Sequence, residues 1–155
     1  MFLSAKEDIE APIDHAFALM TDFDSVERTA LRRGIDVQRC DSLTEPGAGM
    51  EWQVEFEFRG KMRSMTLKLS EFDTPQALSF EGVSQGLSGT VSVDLVAMSK
   101  TRTRMSVDLE LEASTLSARL VLQSLKLART KINKGFHLRV ANYATELEGR
   151  YRQIS

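Results

Sequence analysis

The sequence has one cysteine, Cys40, and two histidines, His15 and His137. A lone cysteine excludes an intrachain disulfide and suits a reducing compartment. Neither histidine has a cysteine or histidine partner at metal-ligand spacing, and no HExxH or CxxC pair occurs, so no metal site is expected. The serines form no G-x-S-x-G elbow. Gly82, Gly86 and Gly89 fall between two strand-like segments, where a phosphate-binding loop would have to open a helix, so they read as a turn and no cofactor is expected. No apolar run approaches the ~18 residues that cross a bilayer. Lys6, Glu7, Asp8 and Glu10 occupy the place where a signal peptide needs an apolar core, which makes the cytoplasm the expected compartment. With a net charge of −2 there is no global basic field, and no nucleic-acid partner is expected. Linkers, repeats and low-complexity tracts are missing too. One domain over residues 1–155, monomeric or homodimeric, is the consequence.

What is present is periodic. Residues 2–10 read as a strand that Pro12 ends, and proline suits the start of a helix because its missing N–H costs nothing there. Ile13, Ala16, Phe17 and Met20 then recur at helical spacing. Asp22, Asp24 or Ser25 can cap a second short helix, and Gly34 can close it in a left-handed conformation. Asp22 and Asp24 read as caps rather than acids.

From residue 35 the period falls to two. Residues 35–43 make a second strand, and "EPGAG" at 45–49 a turn. Met50, Trp52, Val54, Phe56 and Phe58 alternate with polar residues, which is the pattern of a sheet with one apolar face and one wet face. Gly60 turns the chain. Met65, Leu67 and Leu69 continue the pattern, while Phe72 falls on the opposite parity unless a bulge near Ser70 restores it. Leu78 and Phe80 follow the Thr74-Pro75 turn. "GVSQGLSG" (82–89) links to a strand with Val91, Val93, Leu95 and Ala97 inward, and "SKTRT" (99–103) leads to Met105, Val107, Leu109 and Leu111. Met20, Met50, Met65 and Met105 all fall on inner positions, where flexible thioethers suit an adaptable pocket or an ordinary core.

From Thr115 to about Gly149 the helical period returns as one long helix, with Ala118, Val121, Leu125, Ala128, Ile132, Phe136, Val140, Tyr143 and Leu147 inward and a bend expected at Gly135. Charge is segregated along the chain. Asp41 to Glu112 holds twelve acidic and seven basic residues, whereas 115–140 holds six basic ones (Arg119, Lys126, Arg129, Lys131, Lys134, Arg139) and no acid. Leu116, Leu120, Leu127 and Leu138 lie on the back of that helix, which points to an anionic membrane surface or an acidic protein as a possible partner.

The segments "IEAPIDHAFALMTDFD" (9–24), "PGAGMEW" (46–52) and "FDTPQALSFE" (72–81), with the closing helix from Thr115, resemble the START-like superfamily, also called SRPBCC or Bet v 1-like. The likeness is to its bacterial polyketide cyclase/dehydrase and lipid-transport branch. The aromatic pair that many members carry soon after the first helix is absent. The resemblance implies an α+β helix-grip: a curved seven-stranded antiparallel sheet around a long C-terminal helix, with two short helices after strand 1 and a ligand cavity between sheet and long helix. The expected lining is Phe17, Met20, Trp52, Val54, Phe56, Leu78, Phe80, Val93, Leu109, Ile132, Phe136, Arg139 and Tyr143, with Phe17 and Met20 sealing the mouth. Carriage of a hydrophobic small molecule (lipid-, quinone- or polyketide-like) is the first functional expectation, and no catalytic residue is assigned. The alternatives are a polyketide cyclase/dehydratase-type enzyme, for which Tyr143 with Arg139 is the available acid–base pair, and an interaction module acting through the basic helix.

Overall fold

In the computed structural model, which describes Met1–Ser155, the chain runs β1 (Phe2–Ile9), α1 (Ile13–Met20), α2 (Phe23–Arg32), β2 (Asp36–Arg39), β3 (Glu51–Phe58), β4 (Lys61–Asp73), β5 (Ala77–Ser84), β6 (Leu87–Ala97), β7 (Thr103–Ala113), α3 (Leu116–Leu127) and α4 (Arg129–Ile154). The seven strands form one antiparallel sheet in the order β1-β7-β6-β5-β4-β3-β2. Strands β2 to β7 are therefore a meander, and β1 returns to lie beside the last of them. This order makes β1 and β2 the two edges of the sheet. The pair α1 and α2, which joins them, must cross from one edge to the other. This is the α+β helix-grip arrangement, with the long C-terminal helix against the sheet.

Local chemistry explains most boundaries. Pro12 precedes α1 with extended backbone, and Asp22 caps α2 by accepting from the Ser25 N–H at 3.4 Å. Gly34 ends that helix at φ 80°. The register of β4 on β5 skips between Leu69 and Glu71, so Leu69 opposite Phe80 and Phe72 opposite Leu78 share a face despite their odd spacing. The bulge near Ser70 is present. Two-residue turns at Arg59-Gly60 and Gln85-Gly86 have both residues at positive φ, as tight hairpins between twisted strands require.

Four expectations change. Residues 82–84 and 87–89 belong to strands and only Gln85-Gly86 turns, because alternation survives in this serine- and glycine-rich segment. Strand β2 spans four residues rather than nine. Beyond Arg39 the Asp41 carboxylate takes over the edge, accepting from the backbone N–H groups of Leu43 and Glu51 at 2.9 Å each and from the Arg39 fork. Ala97 is exposed at its strand end. The long helix breaks at Ala128 (φ −99°, ψ 21°), whose N–H tightens onto Leu125 and Lys126, and it runs on to Ile154. Gly135 lies inside α4 with open space where a Cβ would be.

The densest packing lies where α4 and α1 meet β1 and its neighbours: Ile9, Ala16, Phe17, Met105, Val140, Ala144 and Leu147 are all buried. Thr103 is buried there too, its hydroxyl donating to the Ala11 carbonyl at 2.8 Å. Toward the β2 edge the inward face is looser, and Val37, Met65, Leu67, Phe80 and Val91 are only half-buried.

Candidate ligand cavity

Helix α2 presents Phe23, Val26, Glu27 and Ala30, spaced i, i+3, i+4, i+7, to the loose half of the sheet. Between that stripe and strands β2 to β6 is a cavity of about 390 Å³ lined by fifteen residues, of which Glu27 alone is charged. Trp52, Phe23 and Phe80 form an aromatic corner, with ring centroids 5.5 Å apart for Phe23–Trp52 and 6.1 Å for Trp52–Phe80. Met65 lies across Gly82, where an added Cβ would sit 2.9 Å from its sulfur.

Two polar groups interrupt the apolar wall. The Trp52 indole N–H donates to Oε1 of Glu27 at 2.8 Å, which ties α2 to β3. Tyr143, the one contribution of α4, has a hydroxyl with no hydrogen-bond partner in the protein. Burial pushes its pKa up to about 12, Glu146 nearby adds to this, and Arg150 opposes it. Arg150 also reaches the start of α2, with Nη2 at 3.6 Å from Asp22 Oδ2 and 3.5 Å from Ser25 Oγ. A half-exposed pair of this kind contributes about 1 kcal/mol at most. The apolar stripe and the Trp52–Glu27 bond therefore hold α2 more firmly than that pair does.

Seven of the expected lining residues meet here: Met20, Trp52, Val54, Leu78, Phe80, Val93 and Tyr143. The other six do not. Phe17 is buried in the core, edge-on to Phe72 with centroids 5.4 Å apart, so Met20 lines the cavity without it. Phe56 lines a separate cavity of about 270 Å³ beneath α3, shared with Phe58, Arg63 and Ser117. Leu109, Ile132 and Phe136 are half-buried but outside both cavities, and Arg139 is exposed. The reason is the course of α4, which packs along β1 and α1, so its stripe covers the dense half and only Tyr143 reaches the hollow one. A Tyr143–Arg139 acid–base pair is consequently not assembled.

The lining that sequence reasoning missed is Phe23, Val26, Glu27 and Ala30 of α2, with Val37, Met65, Leu67 and Val91 of the strands. Met65, Leu67 and Val91 stand on the inner parity positions of their strands, whereas Val37 was read only as part of a second strand. The α2 stripe was also present in the spacing, but a glutamate inside it reads as solvated surface. No group of three or more metal-ligating side chains comes together anywhere in the fold. His15 packs edge-on against Tyr151 at 5.0 Å, and His137 neighbours Phe136. No helix is long and apolar enough to cross a membrane.

A sheet closed by two small helices at one edge pair and by a long C-terminal helix, with a hollow between, defines the START-like, or SRPBCC, fold. No family model matches the sequence, and no curated protein does. Solved structures match the fold over nearly its whole length. A Thermus thermophilus protein is 16% identical with a TM-score of 0.67, covering 100% of this chain and 99% of its own. The Zhui aromatase/cyclase from Streptomyces is 10% identical with a TM-score of 0.66, covering 97% and 95%. A START superfamily protein from Mycobacterium smegmatis is 15% identical with a TM-score of 0.61, covering 99% of both chains. At these identities what is shared is the fold.

Proposed function

We propose that the chain binds one compact hydrophobic molecule in the cavity between α2 and the sheet. The observation that carries this reading is a hollow of about 390 Å³ with a single charged side chain in its wall. That volume lies near the small end of the range for small-molecule sites. It suits one ring system or one medium aliphatic chain and is too small for a two-chain lipid. Desolvation drives such binding at about 25 cal/mol per Å² of apolar surface buried. The apolar wall favours carriage over chemistry, because proton transfer needs a positioned acid or base and the cavity holds only Glu27, already engaged by Trp52, and the Tyr143 phenol.

Trp52 is the sole tryptophan and lines the cavity, so its emission reports occupancy. Titration with 1-alkanols of increasing length should show affinity rising about fourfold per methylene, the equivalent of about 0.8 kcal/mol, and then stopping once the cavity is full. A non-saturable response, or one that rises without a cutoff, would contradict the reading.

The outer face of α3 supports a second reading, contact with an anionic bilayer surface. Leu116, Leu120 and Leu127 lie along one side of that helix and are 75%, 64% and 92% exposed. Helix α3 itself carries Arg119 and Lys126 and no acid, and four more basic residues follow on the first turns of α4. Exposed leucines on a cationic background match an interfacial helix, and sedimentation with anionic vesicles tests it.

A further inference from the structure

We propose that Glu27 reads the head group of the ligand, and that this cavity selects an apolar molecule ending in a hydrogen-bond donor, a hydroxyl or an amine, over one ending in a carboxylate or an ether. The proposal rests on the cavity being a ligand site. Glu27 is the one charged residue among the fifteen that line it. Its Oε1 is fixed by the Trp52 indole N–H at 2.8 Å, so the carboxylate is held rather than free to swing into water. Indole nitrogen can only donate, so Trp52 imposes an acceptor at this position. The second carboxylate oxygen has no donor in the protein, and no cation pairs with Glu27. The nearby Arg39 has its fork committed to Asp41 through two bonds of 2.9 Å.

A carboxylate is an acceptor with several lone-pair sites and no proton to offer. Closing an apolar ligand over it strips its water, and that cost is recovered only if the ligand supplies a donor. A ligand carboxylate would meet like charge, and an ether would leave the oxygen dry. The Tyr143 hydroxyl can donate or accept and so does not discriminate between heads. Discrimination falls to Glu27.

The test compares three ligands with a chain of similar length: 1-decanol, its isomer 1-methoxynonane, and decanoate, titrated against Trp52 emission at neutral pH. The wild type should bind the alcohol about tenfold or more tightly than the ether, as expected for a site built to meet a donor, and decanoate most weakly. Glu27→Gln keeps a carbonyl for the Trp52 N–H but turns the free oxygen into a donor. It should level alcohol and ether and tighten decanoate by about tenfold. Equal binding of alcohol and ether by the wild type, or an unchanged preference in Glu27→Gln, overturns the head-group assignment while leaving the cavity reading intact. If none of the three binds, both fall. The wild-type comparison stands whether or not the variant folds.

Discussion

A tyrosine hydroxyl with no hydrogen-bond partner ties the cavity to the stability of the chain. Because Tyr143 is held in an apolar wall, the folded state favours its neutral phenol, and its pKa rises to about 12 with desolvation as the main cause. An unfolded chain releases the same proton near pH 10. The stabilisation is therefore complete below about pH 10 and is lost as pH climbs toward 12. Denaturant midpoints measured across that window should fall in the wild type and fall less in Tyr143→Phe, which lacks the phenol. Parallel declines in both proteins would contradict this. At neutral pH the same substitution should change stability by no more than about 0.5 kcal/mol, since no protein hydrogen bond is lost. At this scale the sequence was informative wherever a side chain has one plausible environment: Trp52, Phe80 and Tyr143 lie where parity and helical period put them. Glu27 was opaque because its role comes from the Trp52 indole, a contact across 25 positions that no local pattern encodes.

Elements differ in the same way. The bulge near Ser70 was legible because Phe72 would otherwise have faced water, and the caps of α1 and α2 were legible because proline and aspartate act locally. The break at Ala128 was not. Alanine is the best helix former, so nothing in its chemistry announces a bend, and the bend belongs to the packing of α3 on β7 and of α4 on β1. That break is also why the inner stripe of the C-terminal segment serves two different parts of the sheet. The exposed face of α3 carries its own prediction. Binding to vesicles rich in anionic lipid should be measurable at low salt and weaken as salt screens the basic residues. It should be abolished in the double variant Leu120→Glu with Leu127→Glu, because each buried leucine contributes about 1.5–3 kcal/mol. Absence of binding by the wild type at low salt would remove the bilayer reading, and self-association through the leucines would appear instead as concentration-dependent sedimentation without lipid.

For the whole molecule, the decisive contrast is between a packed half and a hollow half. Only 24 of 155 residues are buried, and the half-buried Val37, Met65, Leu67, Phe80 and Val91 all face the hollow beneath α2. The two-faced strands and the helix stripe anticipate an apolar interior, and the resemblance to the START-like superfamily implied the grip. Which helix roofs the empty part was not legible, because that depends on where α4 docks. The most direct test of the central claim is anomalous diffraction from crystals soaked in 10-bromodecan-1-ol. The account predicts one bromine peak inside the cavity walled by Met65, Leu67 and Val91, with the hydroxyl end toward Glu27. A peak in the smaller cavity beside Phe56 and Ser117, or no ordered bromine at all, would contradict it.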